Sequence, residues 1–358
     1  MNSKFIKCFK EQIFRQGWLR KDQETGLVVG VSGGSDSVGL VRLLLSLGPR
    51  YKLRLHLVHV NYQVRGQASE QDEQLVRDLA QEFQLSLSVF KFEEDSLRNQ
   101  LDLLNPPSPL YKRGYRKDSH WSTFSGNSNQ EEVFRNFRYQ KFEQVRKQEG
   151  LDWIAVAHTK DDQAETVLIN LLRGAGLRGL GGMKLRTDRV IRPLLTFTKL
   201  EIRDFLGELD QRWREDQSNQ DFSFLRNQVR GELIPFLEES YQSQIKDRLV
   251  SLSQIAKEAE EYIEENIQTQ YTKIVLEKSD FFEVNLKCLK KISKSTRALI
   301  LRKVILQLKG NLRNLSKQHL AELEKIIFSA KGKNQQLNFS GIQVKREGEG
   351  LLLFKKDI

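Results

Sequence analysis

The apolar run over residues 27–32, LVVGVS, shows no alternation of polar and apolar positions, which predicts a parallel strand covered on both faces. A short turn, SGGSDS, and a helix over about 37–47 follow it. The same alternation recurs with strands at 53–60, 85–92 and 153–157 and helices at about 69–84, 131–150 and 161–172. Strands alternating with helices predict a doubly wound parallel α/β sheet, whose ligands sit at the carboxyl ends of the strands. Ahead of the sheet, MNSKFIKCFKEQIFRQGW reads as an amphipathic helix, and the charges spread through it set it apart from a signal peptide.

From Arg226 onward the pattern turns helical. Leu249, Leu252, Ile255, Ala256, Ala259, Tyr262, Ile263 and Ile267 form an apolar stripe at helical spacing. The expected organisation is a first domain over 1–232 and a mainly helical C-terminal domain over 233–358, with further helices near 295–308 and 316–328. The last stretch, QLNFSGIQVKREGEGLLLF, alternates weakly and predicts a closing β-hairpin. Within the first domain, residues 103–130 turn to Pro, Ser, Gly, Asn and basic residues without a period. They read as an inserted surface segment, either mobile or, through its aromatic and basic side chains, able to touch nucleic acid.

A chain of 358 residues exceeds one compact core, so two or three domains are expected. No stretch approaches the roughly 18 apolar residues of a membrane span, so no membrane partner is expected and a cytoplasmic location follows by default. Cys8 and Cys288 stand alone without a CxxC, which offers neither a disulfide framework nor a thiolate metal site. Charge is more informative. Residues 271–358 carry 19 Lys and Arg against 8 Asp and Glu, an excess equal to the net charge of +11 of the whole chain. Lys287, Lys290, Lys291 and Lys294 would share one face of a helix, either as a solvated face or as a surface that neutralises phosphates. The oligomeric state stays open, with a homodimer compatible.

The segment from Ser32 to Ser37 lies directly between a buried strand and a helix, where a phosphate site belongs. Gly33 and Gly34 let backbone approach phosphate oxygens, the helix start aims N–H groups and its positive dipole end at them, and Ser32, Ser35 and Ser37 carry hydroxyl donors. No GK[ST] follows, so this is not the loop that cradles a transferable γ-phosphate. It suits a pyrophosphate that leaves after attack on the α-phosphate. Asp36 has two readings: a first-turn acid that complements the helix dipole, or a Mg2+ ligand that offsets repulsion between its carboxylate and the phosphates.

A second constellation, AHTKDDQAETVLINLLRGAGLRGLGGM over 157–183, places Asp162 and Glu165 at i, i+3 on one helix face. The same residues fit a purely local reading, because Thr159 and Asp162 satisfy a capping-box pattern. Arg173 and the glycines after it read as a helix stop leading into a flexible loop.

Together these segments resemble the tRNA(Ile)-lysidine synthase family of PP-loop ATP-pyrophosphatases. SGGSDS matches that family's nucleotide loop, HVNYQVRGQASEQDEQLVRDLA its second-strand segment, EEVFRNFRYQKF its arginine-rich helix and AHTKDDQAETVLINLLRGAGLRGL its most distinctive signature. IRPLL, WREDQSN and FLRNQVRGELIP follow in the family's order, so the likeness covers about 25–240 and more loosely the tail. It implies a PP-loop, HUP-like sheet, ATP and Mg2+ as cofactors, and as substrates L-lysine and an isoleucine tRNA with a CAU anticodon. The wobble cytosine oxygen would attack the α-phosphate of ATP, and the lysine amine would then displace AMP. In that scheme the Ser32 to Ser37 loop grips the pyrophosphate and Asp36 carries the metal. Asp162, assisted by Glu165, holds or deprotonates the incoming ammonium, and Arg230 and Arg226 cover the α-phosphate, unless they are surface ion pairs. The alternative within the class is a tRNA base thiolase, whose chemistry needs cysteines near the loop.

Overall fold

In the computed structural model, residues 2–19, 23–48, 51–64, 66–92, 124–214, 225–312, 314–329, 335–339 and 341–355 are described. They form two compact units, Met1–Lys257 and Glu258–Ile358. The division thus falls later than the 232/233 boundary expected from sequence. Ile234 and Leu249, assigned by pattern to the second domain, pack with Ala164, Val167 and Leu168 of the first unit.

The first unit is built on a sheet in which β1 (Thr25–Gly30), β2 (Leu53–Asn61), β3 (Ser86–Lys91) and β4 (Trp153–Ala155) are parallel. Two short strands, β5 (Arg186–Thr187) and β6 (Val190–Ile191), extend it beyond β4 in the order β3-β2-β1-β4-β6-β5. Around it lie α1 (Asn2–Arg15), α2 (Ser35–Leu45), α3 (Gln67–Glu82), α4 (Phe124–Gln148), α5 (Lys160–Leu172), the short α6 (Leu177–Leu180) and α7 (Lys199–Glu208).

The unbroken apolar run of β1 is explained by its two covered faces. Leu27 and Val29 join Phe9 and Ile13 of α1, Val38 and Leu44 of α2, and Ile202 and Leu206 of α7. Val28 joins Val58, Ile154, and Phe142 and Val145 of α4 on the opposite face. At about 25 cal/mol per Å2 of apolar surface, burial of such side chains drives formation of the sandwich. Strand order reverses at β1, with β2 on one side and β4 on the other. The crevice at the carboxyl ends of β1 and β4 is therefore the switch point where ligands bind in open α/β sheets.

After α7, the described chain resumes with α8 (Leu225–Gln228), a π-helical turn (Val229–Leu233), α9 (Ile234–Ser240) and α10 (Ile245–Ile274). Pro235 has no N–H to close an α-helical bond to residue 231, and the turn ahead of it widens. Of the stripe read along α10, Leu249, Ala256 and Ile267 are buried, whereas Leu252, Ile255 and Tyr262 are exposed. Most of the 103–130 insertion, and part of WREDQSN, lie outside the described residues.

The second unit combines helices with a five-stranded antiparallel sheet in the order β7-β8-β11-β10-β9. Its elements are β7 (Val275–Glu277), β8 (Phe281–Asn285), α11 (Leu286–Lys291), α12 (Lys294–Lys309), α13 (Lys317–Phe328), β9 (Gln335–Phe339), β10 (Ile342–Glu347) and β11 (Gly350–Lys355). The closing hairpin expected from the weak alternation is a three-stranded meander that also pairs with β8. Its inward residues Val344, Leu351 and Leu353 meet Ile300, Val304, Leu323 and Ile327 of the helices. The four lysines expected on one helix face are divided. α11 ends at Lys291, and the Ser293 side chain caps α12, which begins at Lys294.

Candidate active site

The Ser32 to Ser37 loop leaves β1 at the switch point and opens α2. Ser37 Oγ donates to the Gly34 carbonyl at 3.0 Å and accepts from the Ser32 backbone N–H at 3.1 Å, which closes the turn on itself. Gly33 has φ +90°, a conformation that disfavours any residue with a Cβ, and an added Cβ would lie 3.4 Å from the Asp72 carbonyl of α3. The N-cap of α2 is Gly34, which brings no side-chain acceptor to the first N–H groups of the helix. A helix start of this kind is suited to phosphate oxygens. Arg214 ties the rim of the loop down: its backbone N–H donates to Gly33 O at 3.0 Å and its Nε to Asp72 Oδ1 at 2.7 Å.

Asp162 and Glu165 project from the first turns of α5, the helix that follows β4. The two oxygens of Asp162 face different partners, one the local cap and the other the crevice. Oδ2 accepts from the Thr159 backbone N–H and hydroxyl, each at 2.9 Å, completing the capping box. Oδ1 faces cations: Arg230 Nη2 at 3.0 Å, Lys199 Nζ at 3.5 Å and Arg226 Nη2 at 3.7 Å. Glu165, with 2% of its side chain exposed, is gripped by Arg230 through Nε at 2.6 Å and Nη2 at 2.9 Å, and by Arg226 Nε at 3.0 Å. Arg226 stands on α8 and Arg230 in the π-helical turn. The two arginines are therefore not a surface pair but a partly buried layer over the carboxylates of α5.

Lys199, the first residue of α7, links this cluster to the loop. Its Nζ lies 3.8 Å from Asp36 Oδ2 as well as 3.5 Å from Asp162. Burial pushes the Asp36 carboxyl up to about 6; Lys199 opposes the rise and the charge of Asp162 adds to it. Burial acts upward on Asp162 too, but Lys199, Arg226 and the Thr159 N–H overcome it and hold that carboxyl well below the usual carboxylate range. Arg230 loses stability as a cation by burial, yet Glu165 and Asp162 more than compensate and raise it. Two carboxylates in one crevice are thus driven apart, one toward neutrality and one firmly ionised.

A cavity of about 200 Å3 opens beside the loop, lined by Val31, Ser32, Asp36, Val58, Val60, Tyr62, Arg138, Tyr139, Phe142, Val156 and His158 among others. Its walls are apolar where β1, β2 and β4 contribute and polar where the loop and α4 do. Among the described residues His158 Nδ1 has no hydrogen-bond partner, and burial pushes its imidazole down to about 3, so it is neutral at physiological pH. A larger hollow of about 580 Å3, lined by Gln71, Gln74, Leu75, Asp78, Gln211, Arg212, Trp213 and Arg214, shares Arg214 with the rim of the loop but is not lined by Asp36, Asp162, Glu165, Lys199, Arg226 or Arg230.

All ten residues picked out from sequence, Ser32 to Ser37 with Asp162, Glu165, Arg226 and Arg230, belong to these two linked groups. Sequence reading missed Lys199, His158 and the Tyr62–Arg138–Tyr139 wall. Lys199 carried a local signal, since Thr198 and Glu201 form a capping box that places it at a helix start. The glycine-rich segment after α5 is pinned rather than free. Gln163 accepts from Met183 N at 2.8 Å and donates to Ser253 Oγ at 3.1 Å, and Asn170 donates to Gly179 O at 2.7 Å.

Among the described residues no set of three or more His, Cys, Asp or Glu side chains is placed to hold a metal ion, and no helix is long and apolar enough to cross a membrane. A single desolvated carboxylate at a phosphate loop still fits Mg2+, which takes one or two protein carboxylates and draws its remaining ligands from phosphates and water.

Comparison with known proteins agrees with this geometry. A family model described as a PP-loop domain matches residues 2–237, and one described as a TilS substrate binding domain matches residues 285–352. The chain is 34% identical over 265 residues to a tRNA(Ile)-lysidine synthase of Chlorobaculum tepidum, covering 74% of this chain and 72% of that protein. It is 30% identical over 311 residues to the protein of the same name from Caldanaerobacter subterraneus subsp. tengcongensis, covering 87% of this chain and 61% of that one. The chain thus spans about three fifths of the length of the latter relative. Among solved structures, a U34-tRNA thiolase, NcsA, of Methanococcus maripaludis superposes with TM-score 0.51 at 19% identity, over 71% of this chain and 80% of that one, a likeness of fold. With its parallel sheet, its serine–glycine loop at the switch point and these relatives, the chain belongs to the tRNA(Ile)-lysidine synthase family of PP-loop proteins.

Proposed function

We propose that this chain uses ATP to join L-lysine to carbon 2 of the wobble cytidine in the CAU anticodon of an isoleucine tRNA, releasing AMP and pyrophosphate, in the cytoplasm. The observation that carries the reading is the convergence of the phosphate loop with the Asp162–Glu165–Arg226–Arg230 cluster on one crevice, with Lys199 between them. The cytosine oxygen attacks the α-phosphate and pyrophosphate departs. The lysine amine then adds at carbon 2, AMP leaves with the former cytosine oxygen, and the amine proton goes to solvent. A bound Mg2+, held by Asp36, would supply positive charge to the departing pyrophosphate.

The residues of the chain divide this work. N–H groups at the start of α2 receive the pyrophosphate. Arg230 and Arg226, oriented by Glu165, present guanidinium groups to the α-phosphate as charge builds on it. Of the two roles considered for Asp162, holding the incoming ammonium fits better than removing its proton, because a carboxyl held so low is a weak base. The cavity with its apolar strand walls offers a seat for a base, and neutral His158 offers an acceptor for an amino group at its edge. The basic second unit supplies phosphate contacts to the tRNA. Thiolation is disfavoured because Cys8 on α1 and Cys288 in the second unit are not among the residues at the loop. Mass spectrometry of nucleosides from a CAU-anticodon isoleucine tRNA, incubated with the chain, ATP and lysine, should show lysidine. Absence of lysidine, or sulfur incorporation in its place, would overturn the proposal.

A further inference from the structure

Lys199 holds an unusual position. Its ammonium lies 3.8 Å from Asp36 and 3.5 Å from Asp162, longer than the 2.7–2.9 Å of a charge-assisted hydrogen bond. It bridges the two carboxylates without being locked to either. Its backbone, by contrast, is clamped. The Lys199 N–H donates to Asp161 Oδ2 at 2.8 Å, and Thr198 and Glu201 cap the helix around it. α7 also packs close to α2, since a Cβ at Gly39 would lie 2.4 Å from Ile202. The root of the side chain is therefore held against the helix that carries Asp36 while the ammonium stands beyond charge-assisted hydrogen-bond distance of both carboxylates. The neighbouring arginines are engaged mainly on Glu165, with Arg230 also at 3.0 Å and Arg226 at 3.7 Å from Asp162.

We propose that Lys199 is the resident counter-ion of this crevice, competing with the divalent cation for Asp36 and giving way when that cation enters with the nucleotide. The idea rests on the reading of the loop as a nucleotide-activating site. Its physical basis is that Asp36 and Asp162 are like charges in one desolvated crevice, and a monovalent ammonium between them reduces their repulsion in the absence of metal. A metal arriving with phosphates outcompetes it, whereas a metal alone must displace it at a cost. The arrangement would thereby tie metal capture to nucleotide capture.

The test is a Mn2+ titration of the whole chain without nucleotide, with free Mn2+ followed by electron paramagnetic resonance. K199M should bind Mn2+ on the order of tenfold more tightly than the unmodified chain, because a competing positive charge a few ångströms away is gone. K199R, which keeps the charge, should stay near the unmodified affinity, and K199Q carries the same expectation as K199M should the methionine variant fail to fold. Adding D36N to K199M should cancel the gain. Unchanged or weaker Mn2+ binding in K199M and K199Q, or a gain that survives D36N, overturns the proposal. Binding of Mg2+ with ATP to the unmodified chain is a separate arm. Its failure would remove the nucleotide reading, whereas the nucleotide-free titration decides the role of Lys199.

Discussion

Replacing Asp36 with Asn should make the folded chain more stable while removing the carboxylate proposed to hold the metal. Burial raises this carboxyl from 3.8 to about 6, so in the folded state the ionised form is penalised relative to the unfolded chain. The penalty is absent below about pH 4, grows as pH rises, and is complete above about pH 6, where folded and unfolded states are both ionised. At roughly 1.4 kcal/mol per pKa unit it amounts to about 3 kcal/mol at pH 7.5, with the attraction of Lys199 already included. Asn keeps the shape and removes the charge, so Asp36→Asn should gain up to about 3 kcal/mol at pH 7.5 and several degrees in Tm of the first unit. Parallel denaturation of both forms between pH 4 and 8 measures this, and the difference should shrink toward zero at pH 4. A variant less stable than the unmodified chain at pH 7.5, or a gain independent of pH, would refute the reasoning.

Other substitutions probe the rest of the site. Glu165→Gln takes from Arg226 and Arg230 one of the two buried carboxylates they face and should cost about 3 kcal/mol in denaturant unfolding, the low end for a broken buried pair because Asp162 remains and both arginines are partly exposed. Asp162→Asn should abolish lysidine formation while ATP binding, measured by calorimetry, persists; normal turnover would remove Asp162 from the mechanism. Lys290→Glu with Lys291→Glu, both exposed on α11, should weaken tRNA binding and flatten the log–log salt dependence by roughly 0.9 for each phosphate no longer neutralised.

The sheet was legible because its central strands β1 and β2 are buried on both faces. LVVGVS and LRLHLVHV cannot alternate when α1, α2 and α7 cover one side and α4 the other. The loop and the Asp162–Glu165 face were legible because they are local, set by spacing within one turn. What sequence could not show is which distant side chains complete them. Lys199 stands 37 residues beyond Asp162 in the chain, yet the capping contact of Asp161 with its N–H brings the two helix starts together. The second unit was the least legible part. Phe281–Asn285 alternates over only five residues, too short a signal to separate from the helical stretches beside it, and the cap at Ser293 divides a lysine run that periodicity alone joins.

The division of charge in the crevice also sets how activity should depend on pH. Asp162 is held so low by Lys199, Arg226 and its backbone partner that its ionisation cannot appear between pH 5 and 9. Asp36, at about 6, can. Below that value the free chain carries a protonated Asp36, which repels phosphates less but, on the proposed role, would no longer anchor a metal. kcat/KM for ATP, which reports the free enzyme and free ATP, should therefore fall as pH drops through about 6, with Asp36 as the enzyme group that titrates there. Saturating Mg2+ should move this limb to lower pH, because metal binding favours the ionised carboxylate. In Lys199→Met the limb should move to higher pH at fixed low Mg2+, since the ammonium that opposes the rise is gone. A profile flat down to pH 5, or one whose acidic limb ignores Mg2+ concentration, would mean that Asp36 does not carry the metal and that the charge on the leaving pyrophosphate is met by the loop and the arginines alone.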